Sequence, residues 1–326
     1  MVFFPGLCYN ISCKAAKNVR VLRYRGTSEI YKESVYAMTG NQPPIRPEGN
    51  KKTGTMNLLF CMNRKFLSLF LSCLSSIVRS GGYGHYDAYI LHSDFEGTDA
   101  GPLERDFSGA VSFHFLRVDE EIFEGFPESG RYPKQIYYRL AAPLLLPPEL
   151  DRILYLDVDT VVINSLRELY ETDFEGNYYV GCTHTRELLT RINQARLKSE
   201  KAVSYINTGV LLLNLPALRE NISLDRIRDY TNERKHAFIL PDQDILTALF
   251  GDRVKLVDTM RYNLSDRILA FYNAEHSRRK VDVSWVRENS VIIHYCGKNK
   301  PWNDDYTGVL GVFYRELFQK PAGKEG

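Results

Sequence analysis

The 326-residue sequence has no apolar run near the roughly 18 residues that a membrane-spanning helix needs. Its first residues, MVFFPGLCYNISCKAAK, lack the basic-then-apolar order of a secretory signal. Closely spaced cysteines are missing as well. The six present, Cys8, Cys13, Cys61, Cys73, Cys182 and Cys296, include no C-x-x-C and mostly sit in apolar runs, so buried reduced thiols are expected. These absences point to a cytoplasmic protein whose membrane contact is at most peripheral, at the inner face. The glycosylation sequons at Asn10, Asn221 and Asn263 then read as chance matches. No internal repeat is visible.

A strong net charge is also lacking, and the formal +2 hides an uneven spread. Residues 1–55 hold nine Lys/Arg against three Asp/Glu, while residues 56–326 hold 33 against 37. A mildly acidic body argues against nucleic acid as a partner. With 44% apolar and 25% charged residues the chain has an ordinary globular composition, and it is long enough to bury a large core.

Residues 1–55 show no sustained periodicity and end in the linker-like NQPPIRPEGNKKTGT. They are expected to be a disordered basic arm or a start-site artefact, leaving residues 56–326 as the folded domain. From Met56 the pattern alternates. MNLLFC reads as a strand, and in FLSLFLSCLSSIVR the residues Leu67, Phe70, Leu71, Leu74, Ile77 and Val78 share one helical face. YDAYILHS and VSFHFLRV follow as strands, and KQIYYRLAAPLLL as a helix. Such alternation predicts an α/β domain with a mixed, mostly parallel sheet flanked by helices, whose ligands sit at the carboxyl ends of strands.

RILYLDVDTVVINSL, residues 152–166, places Asp157 and Asp159 at such an end, between two apolar runs. Two carboxylates there are costly unless something neutralises them. Two chemistries suit them. LDVDTVV resembles the first motif of haloacid-dehalogenase-type phosphatases, in which Asp157 would be the nucleophile and Asp159 the acid. That motif normally lies on the first strand of its domain, whereas about a hundred residues of βα pattern precede it here. Alternatively, the pair holds Mn²⁺ or Mg²⁺ against a diphosphate, with an imidazole as a further ligand. SVIIHYCGKNKPW supplies that imidazole: His294 ends a β-branched run. Gly297 permits close backbone approach to a phosphate, and Lys300 can neutralise it. Although 135 residues separate Asp159 from His294, parallel strands would bring both to one edge. A nitrogen among oxygen ligands favours Mn²⁺ over Mg²⁺.

Five ordered stretches, YYRL, LYLDVDTVV, YINTGVLLLNL, DQDIL and HYCGKNKPW, resemble the retaining glycosyltransferases of family 8, from about Met56 to Trp302. That group includes lipopolysaccharide galactosyl- and glucosyltransferases and the glycogenins. The resemblance implies a GT-A fold, a UDP-sugar donor such as UDP-glucose or UDP-galactose, a Mn²⁺ ion, and a glycan or glycolipid acceptor. It implies that Asp157, Asp159 and His294 hold the metal, with Asp157 also near the ribose, and that Gly297 and Lys300 bind the diphosphate. Arg139 would touch the donor, or else form an ion pair with an acid such as Asp242. Asn207 would bind the transferred sugar, Asp242 its hydroxyls, and Gln243 would lie beside the anomeric carbon. For Asp242 and Gln243 a helix N-cap is the simpler alternative. The family's first strand usually ends in an acidic residue with a tyrosine three positions on, gripping uracil and ribose. FCMNRKF offers Asn63 and Phe66 instead, which can still pair with and stack on a base. Residues 183–204 are expected to form a helix or lid whose basic residues face an anionic glycan or solvent. A sugar-nucleotide binding protein without catalysis is the competing reading.

Overall fold

The computed structural model describes residues 20–21, 53–95, 100–128, 134–184, 187–197 and 203–318. The expectation for residues 1–55 therefore lies almost wholly outside the described residues. Within it, Arg20–Val21 (β1) pairs antiparallel with Leu116 and Arg117. The other strands of the main sheet are β2 (Thr55–Cys61), β3 (His85–His92), β4 (Val111–Arg117), β5 (Arg152–Leu156), β7 (Tyr179–Thr183), β8 (Ile206–Asn214) and β9 (Val254–Leu256). Their order is β1-β4-β3-β2-β5-β8-β7-β9. The run β4-β3-β2-β5 and the pair β7-β9 are parallel, whereas β8 runs antiparallel to both β5 and β7.

Central strands buried on both faces need continuous apolar sequence, which NLLF in β2 and GVLLL in β8 supply. The Leu67–Ser80 helix covers one face, and all six residues expected on its apolar stripe are buried. Its buried serines satisfy themselves on the helix's own carbonyls, as Ser75 does on Leu71 O at 2.7 Å. Ser76 also accepts the Val162 N–H at 2.9 Å, tying the helix to the strand beyond the aspartates. The opposite face carries the Gln135–Leu145, Leu215–Asn221, Leu224–Arg234 and Pro241–Phe250 helices over a second apolar cluster. No helix among the described residues is long and apolar enough to cross a membrane.

The apolar run after Asp159 leaves the main sheet. It forms β6 (Thr160–Val162), which pairs antiparallel with β10 (Ile292–His294), His294 opposite Thr160. The parallel-strand explanation for the approach of His294 is thus corrected. β6 runs away from Asp159, and β10 returns beside it, so the carboxyl end of β10 meets the amino end of β6. Val161, Ile293, Leu264, Leu269, Val286 and Phe313 form a third apolar cluster under this ribbon.

Pro143 lies inside the Gln135–Leu145 helix, where its missing N–H withdraws the usual partner of the Arg139 carbonyl. The proline-rich exit of that helix is held by Arg219. Its guanidinium donates to Pro143 O (3.1 Å), Pro147 O (2.6 Å), Pro148 O (3.0 Å) and Leu150 O (2.8 Å). Arg219→Met should therefore cost about 2 kcal/mol, since charge-assisted bonds to four carbonyls are lost. The measurement is urea unfolding: a lower midpoint at unchanged slope is expected, and an unchanged midpoint would show that water replaces the guanidinium.

Candidate functional site

Asp157-Val158-Asp159 is the turn between β5 and β6, and backbone bonds pin both of its ends. The Asp157 N–H donates to Gly209 O (2.8 Å), and the Tyr295 N–H donates to Asp159 O (3.0 Å). The side chains face one spot. His294 Nε2 lies 3.3 Å from Asp159 Oδ1 and 3.8 Å from Asp157 Oδ2. One ligand atom from each of the three residues falls within 4.8 Å of the others. His294 is buried and both aspartates are half-buried. Two carboxylate oxygens and an imidazole nitrogen at this spacing fit a borderline divalent cation.

Gly209 makes the approach possible. A Cβ there would lie 2.2 Å from His294 Cε1 and 2.7 Å from Asp157 Oδ2. The glycine sits in a bulge, where the β7–β8 register jumps from Gly181↔Leu211 to Cys182↔Asn207 and leaves residues 208–210 without a β7 partner. The freed Gly209 N–H donates instead to Asn207 Oδ1 (3.0 Å).

That bond fixes the proton positions around His294. Asn207 Oδ1 also accepts from Asn263 Nδ2 (2.9 Å), so Asn263 turns its own oxygen to His294 Nδ1 (2.8 Å). An amide oxygen only accepts, so Nδ1 carries hydrogen and Nε2 is the ring nitrogen left to face the aspartates. Asn207, expected as a sugar contact, thus commits its carbonyl oxygen to the protein and keeps its amide nitrogen for any ligand. Asn263 is fully buried, which bars glycan attachment to the folded chain and fits the chance-match reading of that sequon. Its backbone oxygen faces His184 Nε2 (3.0 Å), and the His184 and His294 ring centres are 6.3 Å apart. Burial, helped by His294, pushes the His184 ring down to about 3.

Arg139 forms the ion pair foreseen for it with Asp242 and a second one with Asp157. Nη2 lies 3.1 Å from Asp157 Oδ1, Nη1 lies 3.1 Å from Asp242 Oδ2, and the guanidinium stacks over Tyr155 at 4.6 Å. Burial opposes its charge, yet Asp157, Tyr155 and Asp242 together raise its pKa above the ordinary arginine value. Thr208 donates its hydroxyl to Asp242 and so shares that carboxylate. On the other side Lys300 Nζ sits 2.5 Å from Asp159 Oδ2 and donates to Tyr295 O (2.7 Å). Burial would raise Asp159, but His294 and Lys300 outweigh it and hold the carboxyl well below the usual range.

Asp242 and Gln243 occupy the first turn of the Pro241–Phe250 helix, whose N-cap is Leu240 without a side-chain cap. Asp244, in the same turn, accepts instead from the backbone ahead of the helix, from Ile239 N (2.6 Å) and Leu240 N (3.1 Å). It also pairs with Arg196 (2.7 Å) and accepts from Tyr205 Oη (2.8 Å). Residues 183–204 contain the expected helix, Glu187–Leu197, and its Arg196 serves this internal pair rather than solvent or a glycan.

Asn63 and Phe66 flank the short turn after β2, a parallel neighbour of β5. Asn63 Oδ1 is buried without a hydrogen-bond partner, and Phe66 is 37% exposed. Gly297 takes φ +94°, a backbone conformation reserved for glycine, with open space where a Cβ would be. These contacts link Asp157, Asp159, His294, Arg139, Asp242, Asn207 and Lys300 into one network. Cys61, packed near Arg139 and Asp157, is an inert thiol, pushed up to about 12 by burial.

Residues 57–306 match the profile of Glycosyl transferase family 8. Lipopolysaccharide 1,2-glucosyltransferase of Escherichia coli is 28% identical over 205 residues, 62% of this chain and 59% of that protein. Lipopolysaccharide 1,3-galactosyltransferase of Salmonella typhimurium is 25% identical over 199 residues, 57% of this chain and 54% of that protein. The chain therefore aligns with little more than half of each. A crystal structure of the galactosyltransferase LgtC with donor and acceptor sugar analogs superposes with a TM-score of 0.64 at 24% identity, covering 82% of this chain and 98% of that one. That likeness shows the GT-A fold.

Two substitutions test the site without any substrate. Gly209→Ala should displace His294 and Asp157, and Asn263→Ala should release the ring from its fixed tautomer. Each is expected to weaken Mn²⁺ binding about tenfold or more, read by electron paramagnetic resonance of free Mn²⁺. Unchanged affinity in both would remove the bulge and the amide relay from any part in cation binding.

Proposed function

Because the chain belongs to glycosyl transferase family 8, we propose that it moves a hexose, glucose or galactose, from a UDP-sugar to a glycan or glycolipid acceptor with retention of configuration. The observation that carries this reading is the convergence of Asp157, Asp159 and His294 on one spot, with Lys300 against Asp159. A glycosyltransferase fold also sets aside the phosphatase alternative. The names of the relatives favour a lipopolysaccharide-type acceptor. The cytoplasmic location, the peripheral membrane contact and the 56–326 domain belong to the same proposal.

Asp157, Asp159 and His294 would hold Mn²⁺, or Mg²⁺, which supplies Lewis-acid charge for a leaving diphosphate. Lys300 is a counter-charge that exchanges Asp159 for a phosphate oxygen as donor enters, and the Gly297 backbone admits the same group. The orphaned Asn63 Oδ1 suits a base N–H, and the exposed Phe66 ring suits stacking on that base. Asp242, fixed by Arg139 and Thr208, addresses sugar hydroxyls, and the Asn207 amide nitrogen addresses the same sugar. In the transfer step the bond from the anomeric carbon to the phosphate oxygen breaks, and one to the acceptor oxygen forms on the same face. The acceptor proton passes to the departing phosphate oxygen. Gln243, an amide and a poor nucleophile, stabilises the positive charge that develops at the anomeric carbon.

The experiment is release of UDP from UDP-glucose and UDP-galactose with Mn²⁺. Release that chelator abolishes and that Asp159→Asn eliminates is expected, whereas binding without turnover would make the protein a sugar-nucleotide carrier. Gln243→Ala should lower kcat by about tenfold or more and leave donor affinity nearly intact. Lys300→Ala should weaken UDP binding while metal affinity without nucleotide stays close to that of the parent. An equal fall in both affinities would assign Lys300 to the metal site instead.

A further inference from the structure

His184 follows the last residue of β7, beside the strand that carries Asn207. Its Nε2 faces the backbone oxygen of Asn263 at 3.0 Å. A carbonyl can only accept, so Nε2 must carry the hydrogen, and Nδ1 of the neutral ring is left with a bare lone pair. That Nδ1 is buried and has no hydrogen-bond partner. Buried acceptors are rarely left unmatched, and an orphan beside a functional site points to a ligand group. Asn263 therefore orients two histidines at once. Its side-chain oxygen turns His294 Nε2 toward the aspartates, and its backbone oxygen leaves the His184 lone pair unmatched one ring away.

The chemistry of the orphan narrows what meets it. A lone pair needs a proton donor, and the oxygens of an ionised diphosphate offer none. His184 is also outside the three-residue cation cluster. A base N–H has its own unmatched acceptor at Asn63, at the end of β2. Hydroxyl groups remain, on the ribose at one end of the diphosphate and on the hexose at the other. In the strand order β2-β5-β8-β7 the base-facing Asn63 follows β2 and His184 follows β7, so the hexose end is the nearer to His184. Resting on the family-8 reading, we propose that His184 is a specificity-determining residue whose Nδ1 accepts a hydrogen bond from a hydroxyl of the transferred sugar.

Calorimetric titration with Mn²⁺, with UDP and with UDP-hexose separates the possibilities, using the parent, His184→Phe and His184→Gln. The phenyl ring keeps the shape and removes the lone pair, whereas glutamine restores an acceptor oxygen. In His184→Phe the affinity for UDP-hexose should fall about tenfold, with Mn²⁺ and UDP affinities within about twofold of the parent. In His184→Gln part of the hexose affinity should return. A UDP-deoxyhexose lacking the contacted hydroxyl should bind the parent about as weakly as UDP-hexose binds His184→Phe, and the substitution should cost nothing further with it. If UDP and UDP-hexose weaken equally, or every deoxy donor shows the full additional loss, His184 is packing and the proposal fails alone. Should His184→Phe not fold, a loss in His184→Gln shared by UDP and UDP-hexose overturns the proposal in the same way. A parent protein that binds UDP but no UDP-hexose overturns the donor reading and this proposal together.

Discussion

Holding two carboxylates against one another beside an imidazole in a half-buried turn is unfavourable until positive charge is brought to them. Much of the surrounding structure answers that constraint. Arg139 meets Asp157 from the helix packed on one side of the sheet, and Lys300 meets Asp159 from the loop after β10. The two cationic side chains thus take different aspartates, and the imidazole faces both carboxylates. Steric room comes from the bulged Gly209, whose absent Cβ is filled by the His294 ring and the Asp157 carboxylate. Orientation comes from the same residue's N–H, through two amides that allow a single proton arrangement.

The fold was readable in the sequence where the pattern is local. The apolar stripe of the Leu67–Ser80 helix and the strands around Leu59, Ile90, Phe115 and Leu212 follow directly from periodicity. The aspartates and His294 were also readable, because polar groups that end apolar runs are conspicuous. How they meet was not. An antiparallel return is a property of two segments far apart, and nothing within VIIH states which strand it will join. The parts that Asn263, Gly209 and His184 play in the site escaped notice for the same reason. Each looks ordinary in RYNLSD, NTGV or CTHT, and acquires its role only when residues 207, 263 and 294 are brought together. Arg139 was half legible: its pairing with Asp242 was foreseen, whereas its contact with Asp157 depends on the stacking of a helix on β5.

The amide relay and the charge pairs serve different ends. Arg139 and Lys300 neutralise, and a ligand with its own charges can take their place. Asn207 and Asn263 set direction, and direction cannot be supplied from solution. A site built this way keeps its imidazole aligned while its counter-charges rearrange.

Asp244 has no exposed surface, and its carboxylate is shared by Arg196, Tyr205 and the backbone ahead of the Pro241–Phe250 helix. A buried ion of this kind cannot lose its partner without a large penalty, about 3–5 kcal/mol when one member is removed. Residues 187–197 and the DQD turn therefore form one heritable unit. A hybrid that borrowed the helix from a relative without its matching turn would inherit an orphaned charge before it inherited a new specificity. Recombination between such proteins is therefore expected to preserve the two segments as a pair.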